Sequence, residues 1–178
     1  MRLFVGLPLS TDVRAALGAL NGGIVGARWI GDESLHLSLR FIGEVSNGDE
    51  RDIDLALQSV RGHPFDVTLA GVGAFDRRGR VHSVWAGVDK PDALKALHAR
   101  IESALVRAGW EPEHRKFKPH VALARIKNGA ATDVARYLET HAGFKAPAFT
   151  VAHFTLFESH LGNGGAHYTV LQDYPLSL

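Results

Sequence analysis

The chain has 178 residues, 46% of them hydrophobic and 22% charged, with a formal net charge of +1. It is long enough to bury a sizeable core, and its overall charge does not by itself recruit nucleic acid. It contains no cysteine, which excludes disulfides, thiolate metal sites and cysteine nucleophiles. Neither a signal peptide nor an apolar run long enough to span a membrane is legible, so a cytoplasmic protein with no membrane partner is expected, a monomer being the simplest state.

Arg2 to Leu7 reads as a short buried strand. Ser10 or Thr11 can cap a helix carrying Val13, Ala16, Leu17 and Leu20 at helical spacing, which ends at Asn21-Gly22-Gly23. The strand Leu35 to Gly43 follows. Asn47-Gly48-Asp49 then opens a second helix with Ile53, Ala56, Leu57 and Val60 on one face. Phe65 to Phe75 and Val81 to Val88 form a predicted hairpin around the charged turn 76–80. Asp89-Lys90-Pro91 offers a cap and an early proline to a third helix with Leu94, Leu97, Ile101 and Leu105 inward. A strand beginning at His120 comes next, then a fourth helix capped by Thr132 that buries Val134, Tyr137 and Leu138. Phe149 to Phe157 and Tyr168 to Leu171 close the chain as a second strand pair.

This order repeats. His36 and His120 are 84 residues apart, as are Phe65 and Phe149, and Val67 and Val151. Two copies are a duplication rather than a solenoid. With no linker between the halves, residues 1–178 are expected to form one α+β domain of two pseudo-symmetric lobes. Its antiparallel sheets would be flanked by helices around a central cleft. A pseudo-two-fold axis would bring His36 and His120 face to face.

On a strand, residues two apart share a face. Alternation therefore directs Leu35, Leu37 and Leu39 inward and His36, Ser38 and Arg40 to the opposite surface, with Phe41 on the leucine side. Near neutral pH one histidine can be neutral while its partner is protonated, which suits general acid–base chemistry on an anion. No activated serine, paired carboxylate or glycine-rich phosphate loop competes.

The motifs His36-Leu37-Ser38-Leu39-Arg40-Phe41 and His120-Val121-Ala122-Leu123-Ala124-Arg125 resemble the paired His-x-(Thr/Ser)-x motifs of the 2H phosphoesterase superfamily. The chain is most similar to its RNA 2′,3′-cyclic phosphodiesterases, the 2′-5′ RNA ligase-like proteins. The resemblance extends through Arg28-Trp29, 71–75, 84–88 and Phe117-Lys118-Pro119. It implies cofactor- and metal-independent hydrolysis of RNA 2′,3′-cyclic phosphate ends to 2′-phosphomonoesters, with reversible 2′-5′ joining as a related reaction. By position, His36 and His120 become the acid–base pair, His120 activating water and His36 protonating O3′. Ser38 and Arg125 become phosphate-binding residues. Small cyclic nucleotides are alternative substrates.

Ala122 departs from this pattern, since the family carries threonine or serine there. One of two phosphate-directed hydroxyls is missing, and a weakly active or non-catalytic RNA-end-binding module is the alternative it opens. Arg125 lies an odd number of residues from His120 and reaches the cleft only if the strand ends or bulges there. Arg77, Arg78, Arg80 and Lys118 are candidate contacts to an RNA backbone. The other eight histidines read as structural or solvated. A metal hydrolase has poor support, because no dense histidine–carboxylate motif is present.

Overall fold

A computed structural model describes residues 1–129 and 131–177. The elements run β1 (Arg2–Pro8), α1 (Thr11–Gly18), β2 (Ala27–Trp29), β3 (His36–Glu44), α2 (Asn47–Gln58), β4 (Phe65–Arg77), β5 (Arg80–Asp89), α3 (Asp92–Arg107), β6 (His120–Ile126), α4 (Ala131–Thr140), β7 (Phe149–Val151), β8 (His153–Gly162) and β9 (Gly165–Pro175). The expected α+β architecture is present, built on a curled antiparallel sheet ordered β7-β4-β5-β6-β3-β1-β8-β9, with β2 beside β6.

Local chemistry explains where the elements begin. Ser10 caps α1, its Oγ accepting from the Val13 amide at 3.4 Å. Ser46 and Asp49 close a capping box on α2, which satisfies two amides that the helix itself leaves free. The β4–β5 hairpin turns at Arg78 and Gly79, both with positive φ (55° and 78°). This is the conformation that matches the twist of the flanking strands, and glycine adopts it without a Cβ penalty.

Several boundaries differ from the expectation. Thr132 lies within α4 rather than at its cap. Asp89 ends β5, and Pro91 precedes α3 without any side-chain cap. The strand expected over 149–157 divides at Ala152 into β7 and β8, which join different sheet partners. No periodicity marks that change of partner.

The duplication is visible in the pairing. The two halves of the sheet meet where Leu37 of β3 pairs with Val121 of β6. At the far side, Asp66 of β4 pairs with Thr150 of β7, and Thr150 Oγ1 donates to Asp66 Oδ1 at 2.7 Å across 84 residues. Both pairs join symmetry equivalents, as a pseudo-two-fold axis requires. β5 flanks β6 as β1 flanks β3, so with β5 counted in the second half each half also lends a strand to the other: β4 pairs with β5, and β8 with β1.

All four helices bury apolar stripes in the core that includes Leu37 and Leu39, with Leu94, Leu97, Ile101 and Leu105 supplying that of α3. Because side chains alternate along a strand, packing the leucines of β3 under the helices turns His36 and Ser38 to the opposite, concave face.

Candidate active site

His36 and His120 are anchored in the same way. His36 Nδ1 lies 2.8 Å from the carbonyl oxygen of Ser34, and His120 Nδ1 lies 2.5 Å from that of Lys118. A carbonyl can only accept, so Nδ1 carries the hydrogen in both rings and Nε2 is left for other partners. His36 Nε2 meets Ser38 Oγ at 2.9 Å. Its counterpart in the second half has no such hydroxyl, because Ala122 occupies the equivalent position.

Aromatic rings wall in each imidazole. His36 packs against Phe4 at 4.8 Å between ring centroids and edge-on against Tyr168 at 4.7 Å. His120 meets Phe75 edge-on at 4.9 Å and Trp85 at 5.9 Å. This enclosure disfavours the imidazolium and lowers the pKa of both histidines from the ordinary 6.5. The carbonyl bonds work in the opposite direction, and the positive charge of a protonated His120 lowers His36 further. Trp85 can lie against His120 because Gly73 faces it. A Cβ at Gly73 would stand 2.3 Å from the indole ring.

Two bulges set the rest of the site. In β3 the register slips between Val5 and Gly6 of β1, leaving Leu39 unpaired. Leu39 and Arg40 are consequently both buried, and Phe41 emerges 50% exposed. Alternation placed Arg40 on the histidine face and Phe41 in the core, and the bulge reverses both. In β6 the matching slip skips Leu123, so Leu123 and Ala124 are both buried and Arg125 is exposed. The bulge on which the placement of Arg125 depended is present, although Arg125 is not among the residues lining the cleft that holds Ser38 and His120. Its charge acts on the Tyr168 hydroxyl, which belongs to the ring packed on His36.

A cleft of about 720 Å³ contains Ser38 and His120 and extends past Phe41, Phe75, Arg77 and Lys118. Lys118 lies over the Phe75 ring, 5.9 Å from its centroid. Arg78 and Arg80 sit exposed at the hairpin tip, outside this lining. His82 and His98, expected to be unrelated to the site, line the cleft, and His98 stacks on Phe117 at 4.0 Å.

Arg40 ties one wall of the cleft to the scaffold. Its guanidinium is bidentate to Glu102 of α3, at 2.8 and 3.3 Å, and also donates to the carbonyls of Phe41 and Glu111. It therefore fastens the segment that leads to Lys118. Arg40, read by alternation onto the histidine face, is instead a buried tie because of the bulge, and Tyr168 was not legible as a site-forming residue, since its place depends on the curl of β9. Among the described residues, no group of three or more His, Cys, Asp or Glu side chains is placed to hold a metal ion. No described helix is long and apolar enough to cross a membrane.

A duplicated antiparallel fold with one histidine from each half on adjoining central strands defines a 2H phosphoesterase. The sequence matches the 2′-5′ RNA ligase superfamily model over residues 19–163. An RNA 2′,3′-cyclic phosphodiesterase of Aeropyrum pernix is 35% identical over 144 residues, covering 80% of this chain and 82% of that protein. One of Escherichia coli is 31% identical over 180 residues, covering 99% and 97%. The crystal structure of Escherichia coli LigT in its apo form superposes with a TM-score of 0.79 at 28% identity, covering 99% of this chain and 98% of that one. The chain belongs to the 2′-5′ RNA ligase superfamily, the family its motifs resemble.

Proposed function

We propose that this protein hydrolyses RNA ends bearing a 2′,3′-cyclic phosphate to 2′-phosphomonoesters, without a metal ion, with His36 and His120 as acid and base. The observation that carries this reading is the matched anchoring of the two imidazoles. Each Nδ1–H is held by a main-chain carbonyl, so each Nε2 is available to move a proton. The names of the relatives supply the substrate class. The exchange of strands between the halves supports treating residues 1–178 as one domain.

In this mechanism His120 Nε2 takes a proton from water as its oxygen bonds to phosphorus. The P–O3′ bond breaks, and His36 Nε2–H transfers its proton to O3′. Ser38 serves both partners: with His36 protonated, Oγ accepts from Nε2 and its own hydrogen turns to a phosphoryl oxygen. Arg125 balances the phosphoryl charge. A 5′-hydroxyl in place of water would yield a 2′-5′ diester and a free 3′-hydroxyl with the same groups. Arg77 and Lys118 then meet the RNA backbone near the cleft, and Arg78 and Arg80 meet it farther out; small cyclic nucleotides would use only the inner site.

Ala122 favours a second reading, an RNA-end-binding module with little turnover. A short RNA with a 2′,3′-cyclic end, incubated in EDTA, separates the two. Release of the 2′-phosphate by the wild type, lost in His36→Ala and in His120→Ala, supports the hydrolase. Tight binding without turnover would leave the binding module. Activity restored only by added metal would refute the metal-free mechanism.

A further inference from the structure

In a fully symmetric site, each half would direct one hydroxyl at the phosphoryl group. Here the half built around His120 has Ala122 in that place, so a developing charge on the phosphoryl oxygens faces one donor fewer. We propose that the Tyr168 hydroxyl replaces the missing donor, hydrogen-bonding the phosphoryl group held among His36, His120 and Arg125. This assignment rests on the cyclic-phosphate reading above and adds a substrate-binding residue to it.

The geometry starts from β9, which curls over the entry to β3. Ser34 Oγ donates to the Ala166 carbonyl at 3.2 Å, fixing that strand beside the residue whose own carbonyl holds His36. Two residues on, and so on the same face of the strand, Tyr168 lays its ring edge-on against His36 (76°) and Phe4 (78°). The ring is thus held by two others before any ligand arrives, and little side-chain entropy remains to be lost.

The hydroxyl is not used internally. Among the described residues it makes no hydrogen bond, whereas that of Tyr174 is committed to Asp54 at 2.7 Å and that of Tyr137 is sealed in the core. Packing alone does not call for it. His120 is packed edge-on by Phe75, a ring with no hydroxyl, so such a contact to a site imidazole does not require one. The ring borders His36, the imidazole set to protonate O3′ beside the phosphoryl group, with 4.7 Å between ring centroids. Partial burial raises the phenol pKa from 10 against the opposing pull of Arg125, and at neutral pH the group is a donor.

Tyr168→Phe keeps the ring and removes the hydroxyl. Its kcat/KM on the cyclic-ended RNA should fall about 10- to 100-fold with an unchanged melting temperature. Ala122→Ser should raise kcat/KM by a larger factor in the Tyr168→Phe background than in the wild type, since one donor substitutes for the other. Affinity for 2′-AMP, measured by calorimetry, reads the same contact without turnover. It should weaken about tenfold in Tyr168→Phe and recover with Ala122→Ser. Unchanged turnover and unchanged 2′-AMP binding in Tyr168→Phe would overturn the assignment, as would equal effects of Ala122→Ser in both backgrounds. A wild type that never turns over, while the 2′-AMP pattern holds, would overturn the hydrolase reading and leave this one standing.

Discussion

Ser38 and Ala122 occupy equivalent positions, each two residues beyond its histidine, yet only Ser38 reaches an imidazole, with Oγ 2.9 Å from His36 Nε2. The duplicated frame therefore holds two chemically unequal histidines. Ser38→Ala removes the one motif hydroxyl left and should lower kcat about 100-fold, the scale of losing a preorganised donor. Ser38→Thr should retain most activity. Because the contact strengthens as charge develops, the loss should appear in kcat rather than KM under single-turnover conditions.

The pH profile follows from the two lowered pKa values. The productive free enzyme has His120 neutral and His36 protonated. Activity is lost on the acid side as His120 gains a proton and on the alkaline side as His36 loses one. Since both groups titrate below 6.5 in the folded chain, kcat/KM should peak on the acid side of 6.5 and decline through neutrality. A bound phosphate favours the imidazolium, so the alkaline limb of kcat should lie higher than that of kcat/KM. Both profiles can be taken with one cyclic-ended dinucleotide. A kcat/KM optimum above pH 8 would contradict the assignment.

The histidines were legible because strand alternation and an 84-residue repeat depend only on spacing, and Leu37 and Leu39 do enter the core as that spacing predicts. Arg40, Phe41 and Arg125 were not placed by the same rule. Each follows a bulge, and one skipped residue inverts the face of everything beyond it. Tyr168 lies farther from reach. Its sequence neighbours mark only a strand, and its contact with His36 arises from a non-local curl of β9. The cleft wall at His98 and Phe117 likewise depends on how α3 and the following segment pack, which periodicity does not report.

Arg40 is a scaffold charge with consequences for the cleft. It is 7% exposed and Glu102 is 20% exposed, so removing the guanidinium strands a largely buried carboxylate. Arg40→Ala should destabilise the fold by about 3–5 kcal/mol, measured by urea unfolding. Arg40→Lys should recover only part, because a point charge cannot reproduce the bidentate bond to Glu102 together with the two carbonyl contacts. In conditions where both variants remain folded, KM should rise, because the segment leading to Lys118 loses its anchor at Glu111. An unchanged KM with reduced stability would confine Arg40 to folding.

The same burial that tunes the histidines costs stability in acid. For His36 and His120 the folded pKa lies below the unfolded value near 6.5. As pH falls through that interval the unfolded chain binds protons first, so stability present above about pH 6.5 is progressively lost down to the folded pKa values. Replacing both residues, as in His36→Asn/His120→Asn, removes two of the groups responsible. The fall in unfolding free energy between about pH 7.5 and pH 5.5 should therefore be smaller in the double variant than in the wild type. His98, whose pKa is also lowered by burial, is retained in both proteins and contributes equally to each. Urea denaturation at the two pH values gives the comparison directly, since each protein serves as its own reference. An equal fall in both proteins would mean that the two imidazoles carry no protonation strain in the folded state, and would remove the physical basis for the acid-shifted profile as well.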